Sequence, residues 1–243
     1  MFEFSLLNPR QPYLLTLIVL FWLSSCGHPP VLVQPVGVAY PDSSAQPDSV
    51  RVKLVLEVPN GTGSDELSGV LWAVPQERYR LELTGPMGIQ VASVLWKPDG
   101  WLALVPPQER FVAGAGSVIF IPGLLLPAIP IHTLLAYSWG QLLPPGLDSA
   151  RCYEYKSQRI CDWTTPEHLT VRAEFNAQTH HLLALVIPSP VPDVQLRMEY
   201  ADNSMRVVRG GQWLMTMRIH ERRSDLAWKG GIWKLIVPDG YRN

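Results

Sequence analysis

From Val50 onward, apolar and polar residues alternate with a period of two. Val50, Val52, Leu54, Leu56 and Val58 fall on one side of an extended chain, with Arg51, Lys53 and Glu57 on the other. This pattern predicts a strand buried on one face. It recurs at Tyr79, Leu81 and Leu83 against Arg78, Arg80 and Glu82, and at Leu169, Val171, Ala173 and Phe175 against Thr170, Arg172 and Glu174. Two more runs are Val194, Leu196, Met198, Tyr200 and Trp213, Met215, Met217, Ile219. Turn signals at Pro59-Asn60-Gly61, Pro98-Asp99-Gly100 and Gly210-Gly211 separate the runs. The pattern predicts a mainly β domain, with about ten or eleven strands in one strongly curved antiparallel sheet.

One stretch breaks the alternation. From Ser117 to Leu143 the residues are apolar and punctuated by Pro122, Pro127 and Pro130. Within it Ile131, Leu134, Leu135 and Trp139 recur at helical spacing; Pro130 suits a first-turn position and Gly140 a position just past the end. A short apolar helix inserted into a curved sheet is expected to cover its concave face. The pattern allows either a permanent plug of the core or a lid over a ligand cavity.

The N-terminal segment has a different character. Arg10 precedes an uncharged run from Tyr13 to Leu23, too short to span a bilayer, which takes about 20 residues. Leu23-Ser24-Ser25-Cys26 resembles the lipobox of bacterial lipoprotein signal peptides. Residues 1–25 are therefore expected to be removed, leaving Cys26 acylated as a membrane anchor. Gly27 follows it in place of Asp, which by resemblance to enterobacterial lipoproteins favours the outer membrane, facing the periplasm. Residues 26–49, rich in proline and serine, are expected to form an extended tether, or else an irregular segment packed on the domain. Residues 50–243 are expected to form the folded domain.

Composition narrows the function. The net charge of −1 carries no nucleic-acid footprint, and the length suits one domain, which is expected to be a monomer. Apolar residues make up 47% against 17% charged, which suits either an apolar cavity or an aromatic-rich β core. Cys152 and Cys161 flank a short segment and are expected to bridge neighbouring strands in an oxidising compartment, with two buried free thiols as the alternative.

Reactive chemistry is sparse. There is no His-Glu-x-x-His, Gly-x-Ser-x-Gly or phosphate-loop motif, and Gly114-Ala115-Gly116 does not complete a dinucleotide fingerprint. His180-His181, Glu167-His168 and His220-Glu221 are pairs without a third partner, and adjacent strand residues face opposite sides. No enzyme activity, metal or cofactor is expected.

Two segments carry a family resemblance. The run Glu77-Arg78-Tyr79-Arg80-Leu81-Glu82-Leu83-Thr84-Gly85, followed by Pro86-Met87-Gly88, resembles the LolB family of outer-membrane lipoprotein receptors, where such a strand leads into a Pro-Leu-Gly turn. The run from Leu126 to Gly140, with Pro127, Pro130 and Trp139, is similar to that family's proline-hinged helix. The resemblance covers about residues 50 to 145, and the later strands by pattern only.

It implies a half-open antiparallel β-barrel with a helical lid over a cavity for acyl chains. It also implies a receptor that takes lipoproteins from a periplasmic LolA-like carrier and places them in the outer membrane. Pro86, Met87 and Gly88 would form the membrane-insertion loop. Val52, Leu54, Leu81 and Leu83 would line the cavity beneath Leu134, Leu135 and Trp139. The alternatives are a lipid- or glycolipid-binding envelope lipoprotein of the same fold and a structural lipoprotein in an envelope complex. Two features depart from the family: the segment before the first strand shows no helical stripe, and the cysteine pair and the tail after Met205 do not map onto it.

Overall fold

The computed structural model describes residues 31–33, 47–116, 118–119, 121, 131–140, 143, 149–165, 168–188, 195–224, 226–228 and 230–243. The signal segment, Cys26, most of the expected tether, and Pro127 and Pro130 lie outside them.

The strands are β1 (Val31–Val33), β2 (Val50–Asn60), β3 (Gly63–Val74), β4 (Arg78–Thr84), β5 (Gln90–Lys97), β6 (Gly100–Val105) and β7 (Arg110–Gly114). After helix α1 (Ile131–Ala136) come β8 (Arg151–Tyr155), β9 (Gln158–Thr164), β10 (Thr170–Asn176), β11 (Leu182–Pro188), β12 (Gln195–Ala201), β13 (Ser204–Arg209) and β14 (Gln212–Ser224). They form one fourteen-stranded sheet in the order β1-β8-β9-β10-β11-β12-β13-β14-β2-β3-β4-β5-β6-β7. Because β1 and β7 are left as edges, the sheet is curved but not closed. The mainly β, half-open architecture expected from the sequence is present.

The strand count exceeds the expected ten or eleven for a physical reason. β5 (QVASVLWK) and β6 (GWLALV) are buried on both faces, so they read as apolar runs without alternation. β7 and β8 have only five residues each, too short to show a period. β1 falls within the segment read as a tether. Ser49, just before β2, is buried.

β2 and β14 join the two parts of the sheet, with Thr216↔Glu57, Met217↔Leu56 and Ile219↔Leu54 in antiparallel register. The concave core collects the inward rows: Val50, Val52, Leu54 and Leu56 from β2, Tyr79, Leu81 and Leu83 from β4, and Met215 and Met217 from β14. Burial of such side chains contributes roughly 1.5–3 kcal/mol each. Cys152 and Cys161 are direct cross-strand partners of β8 and β9 and are joined by a disulfide.

The convex face is finished in two ways. On β9–β12, Arg172 pairs with Asp162 at 2.7 Å, and Arg197 grips both oxygens of Glu174 at 2.7 Å each. The second pair reaches across β11, whose outward Ala184 and Val186 are buried beneath. On the other side the chain after β14 acts as a strap. Ser49 and Leu226 exchange two 2.8 Å hydrogen bonds. Arg80 donates to the carbonyls of Ile232 and Lys234, and the Arg78 guanidinium lies 4.6 Å from the Trp233 ring centre. Phe111 N–H then donates to the Arg242 carbonyl. Between these fixings lie the outward Leu95 and Leu104 of β5 and β6, both buried.

Candidate functional site

The site is built from the concave face and the segment that covers it. Helix α1 continues into a 3-10 turn, Tyr137–Trp139, and ends at Gly140 with φ 90°, a left-handed conformation suited to glycine. Ile131, Leu134, Leu135, Tyr137, Ser138 and Trp139 are all buried. The cover therefore presses its apolar stripe into the concavity, as its helical spacing predicts.

Three attachments hold it. The first is aromatic: the Tyr79 ring is stacked between Trp96 of β5 (4.9 Å) and Trp139 of the cover (5.4 Å). Such pairs contribute about 0.5–1.5 kcal/mol each beyond their buried area. The Tyr79 hydroxyl accepts from Gln76 N–H at 2.8 Å and Trp96 Nε1–H donates to the Gly116 carbonyl at 3.0 Å, fixing both rings.

The second is a pair of charge-assisted hydrogen bonds. Arg222 donates from Nε to the Ser138 carbonyl at 2.6 Å and from its terminal nitrogen to the Tyr137 carbonyl at 3.1 Å. It thus caps orphan carbonyls at the end of the helical segment, where a cation is favoured. Partial burial lowers its pKa, opposed by Tyr137. Arg222 reaches inward because of a β-bulge. Ile219 pairs with Leu54, but Glu221, not His220, pairs with Lys53. The extra residue reverses the alternation, so Arg222 lies opposite inward-facing Val52.

The third attachment is weak. The Ser138 hydroxyl donates to the Met217 sulfur at 3.3 Å, and the Tyr137 hydroxyl to the Ala201 carbonyl at 3.3 Å. Beneath them Met198, Met205, Met215 and Met217 form an almost completely buried floor. Burial raises the pKa of Tyr79, Tyr137 and Tyr200, keeping these phenols neutral.

One small apolar cavity lies between cover and sheet, lined by Tyr79, Leu81, Val94, Trp96, Ile119, Ile121, Ile131 and Leu135. Its volume is about 10 Å³, close to the minimum that holds one water molecule. Ligand pockets are of the order of 300–1,000 Å³, so this cavity by itself is too small for a ligand. Alkyl, thioether and aromatic groups dominate the surface, and the Ser138, Tyr79, Tyr137 and Tyr200 hydroxyls each have a partner. Such a surface offers partition of an apolar guest.

All seven residues expected at the cavity and lid are in the core: Val52, Leu54, Leu81, Leu83, Leu134, Leu135 and Trp139. Only Leu81 and Leu135 line the cavity; the others pack on the cover or on one another. Met87 stands at the tip between β4 and β5 with φ 59°, 92% exposed, flanked by Pro86, Gly88 and the exposed Ile89. His180 and His181 are exposed at a turn, and among the described residues no cluster of three potential metal ligands occurs. Among the described residues no helix is long and apolar enough to cross a membrane. The sequence reading missed Arg222, Trp96 and the methionine floor. The signal for Arg222 was the loss of phase where Ile219 runs into His220-Glu221-Arg222-Arg223.

A LolA superfamily protein from Nitrosomonas europaea superposes on this architecture with a TM-score of 0.52 at 10% identity, covering 79% of this chain and 92% of that one. The chain has the fold of the LolA superfamily. At 13% identity, a DUF1329 family protein from Desulfovibrio piger covers 79% of this chain and 92% of its own with a TM-score of 0.49. A putative outer membrane lipoprotein-sorting protein domain from Vibrio parahaemolyticus gives 8%, 76%, 88% and 0.48 in the same terms. No protein-family model matches the sequence, and no curated protein matches it. Within this LolA-type fold, the covered concave face is the candidate site.

Proposed function

We propose that this protein is a lipid-anchored receptor of the outer membrane that accepts lipoproteins from a LolA-like periplasmic carrier and places them in the membrane. The observation that carries the reading is Met87. Its side chain is 92% exposed at a left-handed tip, not packed into the hairpin as a structural residue would be. A flexible thioether held away from the domain is suited to entering a disordered acyl boundary.

In this mechanism the carrier docks where the sheet is open, the cover lifts, and acyl chains pass onto the concave face without covalent chemistry. Arg222 and the Tyr79 stack close the cover again when the site empties. Each buried methylene contributes roughly 0.8 kcal/mol, so small differences in burial between carrier, receptor and bilayer set the direction. Cys26 holds the receptor at the bilayer while Met87 engages it.

One observation favours a structural lipoprotein instead: among the described residues, the cover's Ile131, Leu134, Leu135 and Trp139 are buried in the core, and the cavity beside Ile131 and Leu135 measures only about 10 Å³. One experiment separates the two. Carrier loaded with a triacylated lipoprotein is mixed with the full chain carrying Cys26→Ser, and a pull-down shows which partner holds the cargo. Delivery to liposomes is followed in parallel for Met87→Glu. The receptor reading expects cargo on this protein and delivery lost in the variant. Cargo that stays on the carrier refutes it.

A further inference from the structure

The strap reaches the open edge of the sheet at β7, where Arg242 bridges Arg110 in parallel. Arg242 N–H donates to the Glu109 carbonyl and Phe111 N–H to the Arg242 carbonyl, both at 2.9 Å. A turn with Gly240 at φ 90° and a 3.3 Å hydrogen bond from Tyr241 N–H to the Pro238 carbonyl presents the residue. The two arginines are therefore held at the backbone, side by side at about the 4.8 Å strand spacing, and both are exposed. Elsewhere on the sheet Arg80, Arg172, Arg197 and Arg218 each hold a carboxylate. Among the described residues no carboxylate, Glu109 and Asp239 included, forms an ion pair with Arg110 or Arg242. Like charges directly opposite each other destabilise a sheet, so this pair works against the fold, and an anion held between the two would relieve it.

The pair stands at the end of the sheet that carries Met87. β4 and β6 both run toward that end, so the β4–β5 and β6–β7 turns share it. Leu83 pairs with Ala92, Ser93 with Leu104 and Val105 with Arg110, which places Arg110 level with Leu83. Beyond Leu83 the chain rises two residues to Gly85, whose N–H donates to the Ile89 carbonyl, and turns over at Met87. At about 3.3 Å per residue the Met87 tip stands roughly 10 Å beyond Arg110 along the strand direction. The headgroup layer on each side of a bilayer is about 5–8 Å thick. With Met87 and the 55% exposed Ile89 at the acyl boundary, the two arginines are at the level of the headgroups.

We propose that this end of the sheet docks on a phospholipid surface bearing anionic headgroups, with Arg110 and Arg242 together gripping a lipid phosphate while Met87 enters the acyl layer. The inference rests on the membrane part of the proposed function and specifies the surface it requires. A guanidinium presents its donors as a planar fork that matches phosphate oxygens two at a time, and two forks side by side hold one phosphate from both flanks. An anionic headgroup suits them because no ammonium of its own competes for that phosphate. Each basic residue near an acidic membrane surface strengthens partition about fivefold, so the pair contributes about thirtyfold. Arg110 shares the inward row of β7 with Val112, opposite Val105 and Ala103 of the core. Docking through it therefore lays the open edge of the concave face against the headgroups.

The test uses residues 26–243 with Cys26→Ser, which keep every described residue and carry neither leader nor anchor, so that the folded face alone binds. Co-sedimentation is measured with vesicles of phosphatidylcholine and with vesicles of phosphatidylcholine mixed with phosphatidylglycerol. The expected result is tighter binding to the mixed vesicles, of which the double variant Arg110→Gln, Arg242→Gln removes about thirtyfold while binding to neutral vesicles is unchanged. Met87→Glu weakens binding to both. A second double variant, Lys97→Gln, Arg206→Gln, removes the same charge at exposed positions away from the pair and is expected to keep the preference. High salt, which screens charge without altering the chain, is expected to abolish the preference of the protein with its arginines intact. Equal binding to both vesicles, or an equal loss in the Lys97, Arg206 variant, overturns the arginine grip and leaves Met87 insertion standing. If lipid charge is without effect but the arginine variant captures less of the loaded carrier, the pair belongs to an acidic face of the carrier, which overturns the lipid grip as well. No binding to either vesicle overturns both this inference and the membrane part of the proposed function.

Discussion

The strands β4 and β5 meet the cover with stacked rings, whereas β12, β13 and β14 meet it with a methionine floor, one tilted ring pair, Tyr137–Tyr200, and Arg222. The same contrast runs through to the convex face. Behind β4–β7 lies the strap, fixed by Arg78, Arg80 and Phe111. Behind β9–β12 lies a lattice of Arg–carboxylate pairs such as Arg197–Glu174. One part of the sheet is thus tied down on both faces, by rings within and by the strap without. The other is adaptable within and hydrated without. A single sheet can hold its shape at one end while leaving room for rearrangement at the other.

The contrast breaks most severely at its rigid end. Tyr79→Ala removes the ring between Trp96 and Trp139 and is expected to cost about 3–5 kcal/mol, as for other large aromatic truncations; equilibrium denaturation measures it. Arg222→Gln should cost less, about 1.5–3 kcal/mol for lost charge-assisted hydrogen bonds. Its signature is local, with faster amide exchange over residues 131–140 than in β4 and β5. At the adaptable end, Met215→Leu is expected to cost under about 1.5 kcal/mol, and a loss as large as that of Tyr79→Ala would refute the idea of a forgiving floor.

The smallest effect is on alkaline stability. Burial raises the phenol pKa of Tyr79, Tyr137 and Tyr200 above the ordinary 10.0, so the folded state holds these protons more tightly than the unfolded one. Their contribution is complete below about pH 10 and is lost as pH rises through the folded values. Melting temperatures recorded from pH 8 upward should fall beyond pH 10, and less so in Tyr137→Phe.

How far the sequence revealed this arrangement depended on whether a residue's neighbours were local. Alternation located β2, β4, β10, β12 and β14 and their inward rows, because a half-buried strand writes its own period. Helical spacing between Ile131 and Trp139 located the cover. β5 and β6 gave no such period, since both of their faces are buried and the chain that passes from β4 to β7 on the outer side comes more than a hundred residues later. Arg222 was hidden by one extra residue in the ladder, a feature of strand pairing and not of local pattern. The methionines were visible singly in β12 and β14, but their meeting depends on the register Met205↔Met217.

The strap also imposes an order in time. Ser49 and Leu226 meet across 177 residues, and β2 waits for β14 through most of synthesis before its second edge is covered. A chain ending at Ser224 would have every strand and is expected to expose more of Leu95 and Leu104, which lie between the strap's fixings on β4 and β7. Such a product displays a greasy patch only while it is unfinished. Whether the chain is finished is thus legible at that patch alone, independently of the concave face.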